Sequence, residues 1–192
     1  MTKALFFDID GTLVSFQTHV IPASTIEALT LAHEKGIQIF IATGRPTLII
    51  NNLDELQSRG LIDGYITMNG GYCYVGDQII YKSSIPDKDV KCIADFCEKN
   101  GFPCIFVGEH DASVCQPDDL LRYIFYEHLG VKEFPEESFE KAIQREVFQI
   151  TPFFTAEQEK EVLPQVTGGE FGRWHPAFVD ITAQGNTKQN GI

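Results

Sequence analysis

The sequence predicts an α/β fold: a parallel sheet core interrupted by a second module of mixed α+β character. Two observations carry this. Short apolar runs at residues 3–8, 37–42 and 65–68 alternate with helical segments, the pattern of buried parallel strands joined by right-handed crossovers. After Asn69-Gly70-Gly71 that alternation stops, and short strands and helices follow in a different order up to about residue 181.

In chain order, residues 3–8 read as a buried strand ending at an aspartate. Pro22 and Ser24 open a helix carrying Ile26, Leu29 and His33 on one face, and Gly36 closes it. Ile37–Ala42 is a second strand, followed by Thr43-Gly44-Arg45-Pro46. A helix is expected over Thr47–Arg59 with Gly60 at its end, then a third strand over Tyr65–Met68. Tyr72–Val75 and Gln78–Lys82 read as a hairpin around Gly76-Asp77.

The interrupting module is expected to hold helices at Asp87–Asn100, Asp118–Leu129 and Ala156–Leu163. Its strands are expected at Cys104–Val107, Ser113–Cys115, Phe148–Phe154, Phe171–Trp174 and Phe178–Thr182. Phe148, Phe153, Phe154, Phe171, Trp174 and Phe178 are expected to form its core, and the acidic stretch Glu133–Glu140 a solvated loop and helix start. The expected division is 1–82 for the first part of the core, 83–181 for the inserted module and 182–192 for a return to the core.

Composition narrows the function classes. Among 192 residues, 15 are basic and 27 acidic, a net charge of −12 that argues against a broad nucleic-acid or anionic-membrane surface. It leaves room for a phosphate substrate, because one cation and a metal ion can make a small site locally positive. No segment is long and apolar enough to span a bilayer, and no signal peptide precedes the first strand, so a cytoplasmic location is expected. Cys73, Cys92, Cys97, Cys104 and Cys115 lack zinc spacing and are expected to be reduced, mostly buried thiols. The histidines His19, His33, His110, His128 and His175 show no ligand spacing.

The chemistry concentrates in Asp8-Ile9-Asp10-Gly11-Thr12-Leu13. This segment lies at the carboxyl end of the first strand, the edge at which open α/β sheets bind ligands. Residues i and i+2 of an extended segment share a face, so the carboxylates of Asp8 and Asp10 can converge. Two such groups at a strand end need a cation or a proton, and a hard ion such as Mg²⁺ suits oxygen donors. A plain Asp-x-Asp-Gly turn is the structural alternative.

Four segments together resemble the haloacid-dehalogenase (HAD) superfamily, and within it the Cof-type phosphatases. They are Phe6-Phe7-Asp8-Ile9-Asp10-Gly11-Thr12-Leu13, Ile41-Ala42-Thr43-Gly44-Arg45, Met68-Asn69-Gly70 and Gly185-Asn186-Thr187-Lys188. The resemblance implies a HAD-like Rossmannoid core with an inserted α+β cap that meets the part of the substrate beyond the phosphate. It also implies Mg²⁺-dependent hydrolysis of a small phosphomonoester, a sugar phosphate or phosphorylated cofactor, through an aspartyl-phosphate.

On this resemblance Asp8 is the nucleophile and a metal ligand. Asp10 is the acid and base, and its main-chain carbonyl is a further metal ligand. Thr43, Gly44 and Lys188 bind the phosphoryl group, with Arg45 and Asn69 as further candidates. Complete members continue past the lysine into a strand and an acidic Gly-Asp-x-x-x-Asp loop that supplies more metal ligands, whereas here the sequence ends at Ile192. The expectation is therefore a chain short of the whole core, with weak metal binding and little turnover in these residues alone. Asp180 is not expected to substitute. Two other readings stay open: a phosphomutase of the same superfamily, and a non-catalytic protein that binds phosphate ligands.

Overall fold

The computed structural model describes residues 3–192; Met1 and Thr2, the start of the expected first segment, lie outside the described residues. The chain divides into two compact units. One comprises the chain up to Lys82 together with Asn186–Ile192, and the other comprises Ser83–Gly185.

The first unit is built on β1 (Lys3–Phe7), α1 (Ala23–Glu34), β2 (Ile37–Ala42), α2 (Asp54–Ser58), β3 (Gly64–Thr67), β4 (Tyr72–Val75) and β5 (Gln78–Lys82). These strands form one sheet in the order β1-β2-β3-β4-β5. β1, β2 and β3 run parallel, while β4 and β5 return antiparallel as the hairpin around Gly76. Phe7 pairs with Ile41 and Ala42 with Ile66, so the three parallel strands end along one edge. Whatever follows Phe7, Ala42 and Thr67 is thereby gathered in one place.

The core of this unit joins Ile9 and Leu13 after β1 to Ile26 and Leu29 of α1, Ile39 and Ile41 of β2, and Leu53, Leu56 and Leu61 around α2. Ile9 and Leu13 are almost fully buried, each contributing about 2 kcal/mol of apolar burial. They anchor the polar loop between them.

Two expectations for this unit are corrected. β1 is not buried: among the described residues it pairs with β2 alone and stands at the edge of the sheet, with Leu5 and Phe6 part-exposed and Phe6 stacked on Phe40 at 4.9 Å. The helix expected over Thr47–Arg59 is also broken. A 3-10 turn at Thr47–Ile49 is followed by extended chain, and helix resumes only at Asp54–Ser58. Asn52 sits at φ 66°, a left-handed conformation that asparagine tolerates and a helix does not. The apolar spacing of Leu53, Leu56 and Leu61 gave no sign of the break.

The second unit contains α3 (Asp87–Asn100), β6 (Cys104–Val107), β7 (Ala112–Cys115), α4 (Asp119–Leu121, continuing as a wide turn to His128), α5 (Phe139–Ala142), β8 (Gln149–Pro152), α6 (Ala156–Val162), β9 (Gly169–His175) and β10 (Phe178–Ala183). Its strands form a second sheet, β7-β6-β8-β10-β9, with antiparallel pairs throughout. α3 is amphipathic: Val90, Ile93, Ala94 and Cys97 pack against Cys104, Phe106, Ile150 and Ile181 of the sheet. Gly101 ends it at φ 71°.

The expected boundary at 181 falls inside β10, whose pairing with β9 runs on to Ala183↔Gly169, and this unit extends to Gly185. Of the six expected core aromatics, Phe148, Phe153, Phe154 and Phe178 are buried. Phe171 is half-buried, but Trp174 is 60% exposed. Its indole lies edge-on to Phe178 at 4.7 Å while Nε1 donates to Asp180 Oδ2 at 2.7 Å, so the ring stays at the surface. The thiols are all unbridged; Cys92 is half-buried and the other four are buried.

Candidate active site

The loop after β1 alternates by the period of an extended chain. Ile9 turns into the core, which leaves the carboxylates of Asp8 and Asp10 on the other side, both only part-buried. Main-chain bonds fix the loop: Leu13 N donates to Asp8 O at 3.2 Å, Val14 N to Ile9 O at 2.9 Å, and Gly11 N to Val14 O at 2.9 Å. Gly11 lies at φ 73°, and a Cβ there would fall 2.5 Å from the ring of Phe16, so both backbone and packing require glycine. Asp8 Oδ1 accepts from Ile9 N at 2.9 Å, which orients the carboxylate.

Thr43 follows β2 and is 1% exposed. Its N–H donates to Ile66 O at 2.8 Å and its carbonyl accepts from Asn69 N at 3.1 Å, while Arg45 O accepts from Met68 N at 3.2 Å. The loops after β2 and β3 are thus laced together. Thr43 Oγ1 accepts from Arg45 N at 3.1 Å, leaving its own proton to donate. The Asn69 amide lies against Gly44, where a Cβ would meet its Oδ1 at 3.1 Å. Asn69 itself holds a left-handed conformation, φ 54° and ψ 34°.

The other end of the chain returns to this place. At Gly70, φ 93°, a Cβ would fall 2.3 Å from Thr187 O, and at Gly71 one would fall 2.9 Å from Asn186 Nδ2. The β3–β4 loop and residues 186–187 are therefore packed backbone to backbone, an approach only glycine permits. Thr187 caps a short helical turn, Lys188–Gly191, which the sequence did not announce. Through this contact Lys188 Nζ reaches Asp8 Oδ2 at 2.8 Å, with both side chains a little over one-third exposed.

Arg45 makes the second ion pair. Its Nε donates to Asp10 Oδ2 at 2.9 Å and its Nη2 to Asp10 Oδ1 at 2.5 Å, a bidentate pair. Its Nη1 turns away to Asn51 Oδ1 at 2.5 Å, with Ile49 O at 3.5 Å. The sequence offered Arg45 as a further candidate for the phosphate and gave no partner for Asp10; the structure pairs the two. It also missed Asn51, for which the Asn51-Asn52 pair inside an apparent helix was the available signal.

Asp8, Asp10, Thr43, Gly44, Arg45, Asn69 and Lys188 therefore converge on one sheet edge, with two carboxylates matched by two cations. Two hard oxygen donors also lie here. They are the Asp8 carboxylate and the Asp10 carbonyl, which none of the loop's main-chain bonds uses. They fit part of the oxygen shell of a Mg²⁺ ion. Among the described residues no cluster of three or more His, Cys, Asp or Glu side chains is arranged around a metal. Asp180 belongs to the second unit, where Thr151 Oγ1 and Trp174 Nε1 each donate to it at 2.7 Å; burial pushes its carboxyl up and those bonds oppose the shift.

This sheet edge and this set of residues place the chain in a known class. The family profile of haloacid dehalogenase-like hydrolases matches residues 5–192, and the chain belongs to that family. Among solved structures it is similar to the HAD subclass IIB sugar phosphatase BT4131: 66% identity, a TM-score of 0.92, and coverage of 100% of this chain and 74% of that one. It is 31% identical to BT1666 from Bacteroides thetaiotaomicron, with a TM-score of 0.83, covering 100% and 70% of the two chains. It is also 29% identical over 196 residues to the putative phosphatase YkrA of Bacillus subtilis (strain 168), covering 100% of this chain and 72% of that protein. Among the described residues no helix is long and apolar enough to cross a membrane.

Proposed function

We propose that this chain acts as a phosphomonoester hydrolase on small sugar phosphates. The observation that carries the reading is the 2.8 Å pair between Asp8 and Lys188, residues from opposite ends of the chain meeting at the carboxyl edge of the sheet. The 66% identity to a sugar phosphatase supports the substrate class.

In this mechanism an Asp8 carboxylate oxygen attacks phosphorus, and the bond from phosphorus to the sugar oxygen breaks. Asp10 delivers a proton to that oxygen, then takes one from the water that hydrolyses the aspartyl-phosphate, which restores Asp8. Lys188 neutralises the negative charge gathered by carboxylate and phosphate. The Thr43 hydroxyl and the Gly44 amide donate to phosphoryl oxygens, and Asn69 holds the Gly44 loop from behind.

Asp8 and the Asp10 carbonyl would hold Mg²⁺, which when bound supplies further neutralisation of phosphate charge. The test is a panel of sugar phosphates assayed on the full-length protein with Mg²⁺ and after EDTA. The reading expects turnover that EDTA removes; no turnover of any phosphomonoester with Mg²⁺ present overturns it.

A further inference from the structure

Arg45 is held from two sides. One edge of its guanidinium, Nε and Nη2, meets both oxygens of Asp10. The remaining nitrogen, Nη1, donates to Asn51 Oδ1 at 2.5 Å. The guanidinium is planar, so seating Nη1 on a fixed acceptor sets the plane in which the other two nitrogens approach the carboxylate. The acceptor is an amide oxygen, which directs the arginine without a charge that would draw it away from Asp10. The backbone is shaped to present it: the 3-10 turn at Thr47–Ile49 ends just before, and Asn52 takes φ 66° just after.

We infer that Asn51 is a positioning residue for the proton-transfer step, orienting the Asp10 carboxyl through Arg45. This rests on the reading of Asp10 as acid and base given above, and extends it to a residue that touches neither phosphate nor leaving group. A misplaced proton donor matters most when the leaving oxygen needs its proton. Departure of an alkoxide from a sugar phosphate needs it, whereas departure of p-nitrophenolate does so far less.

The test measures kcat/KM, which reports steps up to the first irreversible one, in the full-length protein for glucose 6-phosphate and p-nitrophenyl phosphate. N51A is expected to lose about tenfold on the sugar phosphate and less than about twofold on the aryl phosphate. Because the two substrates are compared in one preparation, a partly unfolded variant lowers both equally and leaves the ratio unchanged. In a double-variant cycle, R45A/N51A is expected to match R45A within about twofold, since Asn51 acts through Arg45. Equal losses on both substrates, or a further loss when N51A is added to R45A, overturn the inference. Wild-type protein that turns over neither substrate overturns the parent reading and this inference with it; a wild-type enzyme unaffected by N51A overturns this inference alone.

Discussion

Two arginines, one in each unit, make forked contacts with a carboxylate and serve different ends. Arg173 in β9 donates through Nε and Nη2 to Glu159 Oε2 at 3.1 and 2.7 Å. Its remaining hydrogens go to the carbonyls of Phe154, His175, Pro176 and Phe178. Apart from the carbonyl of His175, in β9 itself, these contacts join β9 to neighbouring segments, and the pair is about four-fifths buried. Arg45 lies in a loop, spends one edge on Asp10, and shares a more exposed place with the Asp8–Lys188 pair. The Arg173 contacts tie segments of one unit together, whereas the Arg45 fork holds a single carboxylate, Asp10, at the sheet edge where the proposed reading puts its chemistry. An ion pair has a function when its partner is also at a sheet edge where a ligand fits; one ringed by main-chain carbonyls is architecture.

This contrast breaks most visibly at Lys188. K188A is expected to lower kcat on a sugar phosphate by about a thousandfold, because the carboxylate and phosphate it neutralises are left to repel each other, while the urea midpoint shifts little. R173A should do the reverse. Removing one partner of a mostly buried pair costs about 3 kcal/mol, seen as a lower urea midpoint, while kcat per folded molecule stays near wild type. If K188A instead unfolds the protein with native kcat, or R173A is as stable as wild type, the division between the two units fails.

A smaller effect sharpens the claim that residues 186–191 are packed on the β3–β4 loop. G70A adds a Cβ against Thr187 O at φ 93°, whereas G36A adds one at φ 75° with nothing within 4 Å. Backbone strain alone costs about 1 kcal/mol in both, so G70A is expected to cost about 2 kcal/mol more by urea denaturation and also to reduce turnover. Equal costs would mean that the close approach does not hold in solution.

The smallest effect is electrostatic. The hydrogen bond from Lys141 lowers the Glu137 carboxyl from its ordinary 4.5 against the opposing effect of burial, and Ser113 and Arg145 add to the lowering. Because the folded-state value is depressed, the stability it contributes is present above about 4.5 and fades as pH falls through the lower folded value. E137Q should therefore have a lower urea midpoint than wild type at pH 7, with the gap closing in acid. A gap that widens in acid contradicts the sign.

Much of this molecule is legible in its residues, and what is not has identifiable causes. The strands at Ile37–Ala42, Tyr72–Val75, Gln78–Lys82 and Cys104–Val107 and the helix Asp87–Asn100 announce themselves by apolar period and flanking glycine. Asp8, Asp10 and Thr43 were singled out because they follow strand ends, where α/β sheets bind ligands, and because they match the family's motifs. The break near Asn51 was hidden because Leu53 and Leu56 continue a helical spacing across it. The break lets the Asn51 amide turn back to Arg45, six residues earlier, a polar contact that apolar spacing does not record. Trp174 looked like core because indole is large and apolar, yet its N–H bonds to the half-buried carboxylate of Asp180 and the ring stays at the surface. The Asp10–Arg45 pair joins residues 35 apart along the chain, a distance at which local pattern is silent.

The measurement that bears most directly on all of this is acid quench of the full-length protein during turnover of a sugar phosphate with Mg²⁺, followed by peptide mass spectrometry. The account predicts a phosphoryl group on the peptide containing Asp8, absent in D8N, with turnover in D8N lower by about ten-thousandfold or more. Undiminished turnover in D8N, or a phosphoryl group trapped on any other residue, would contradict it.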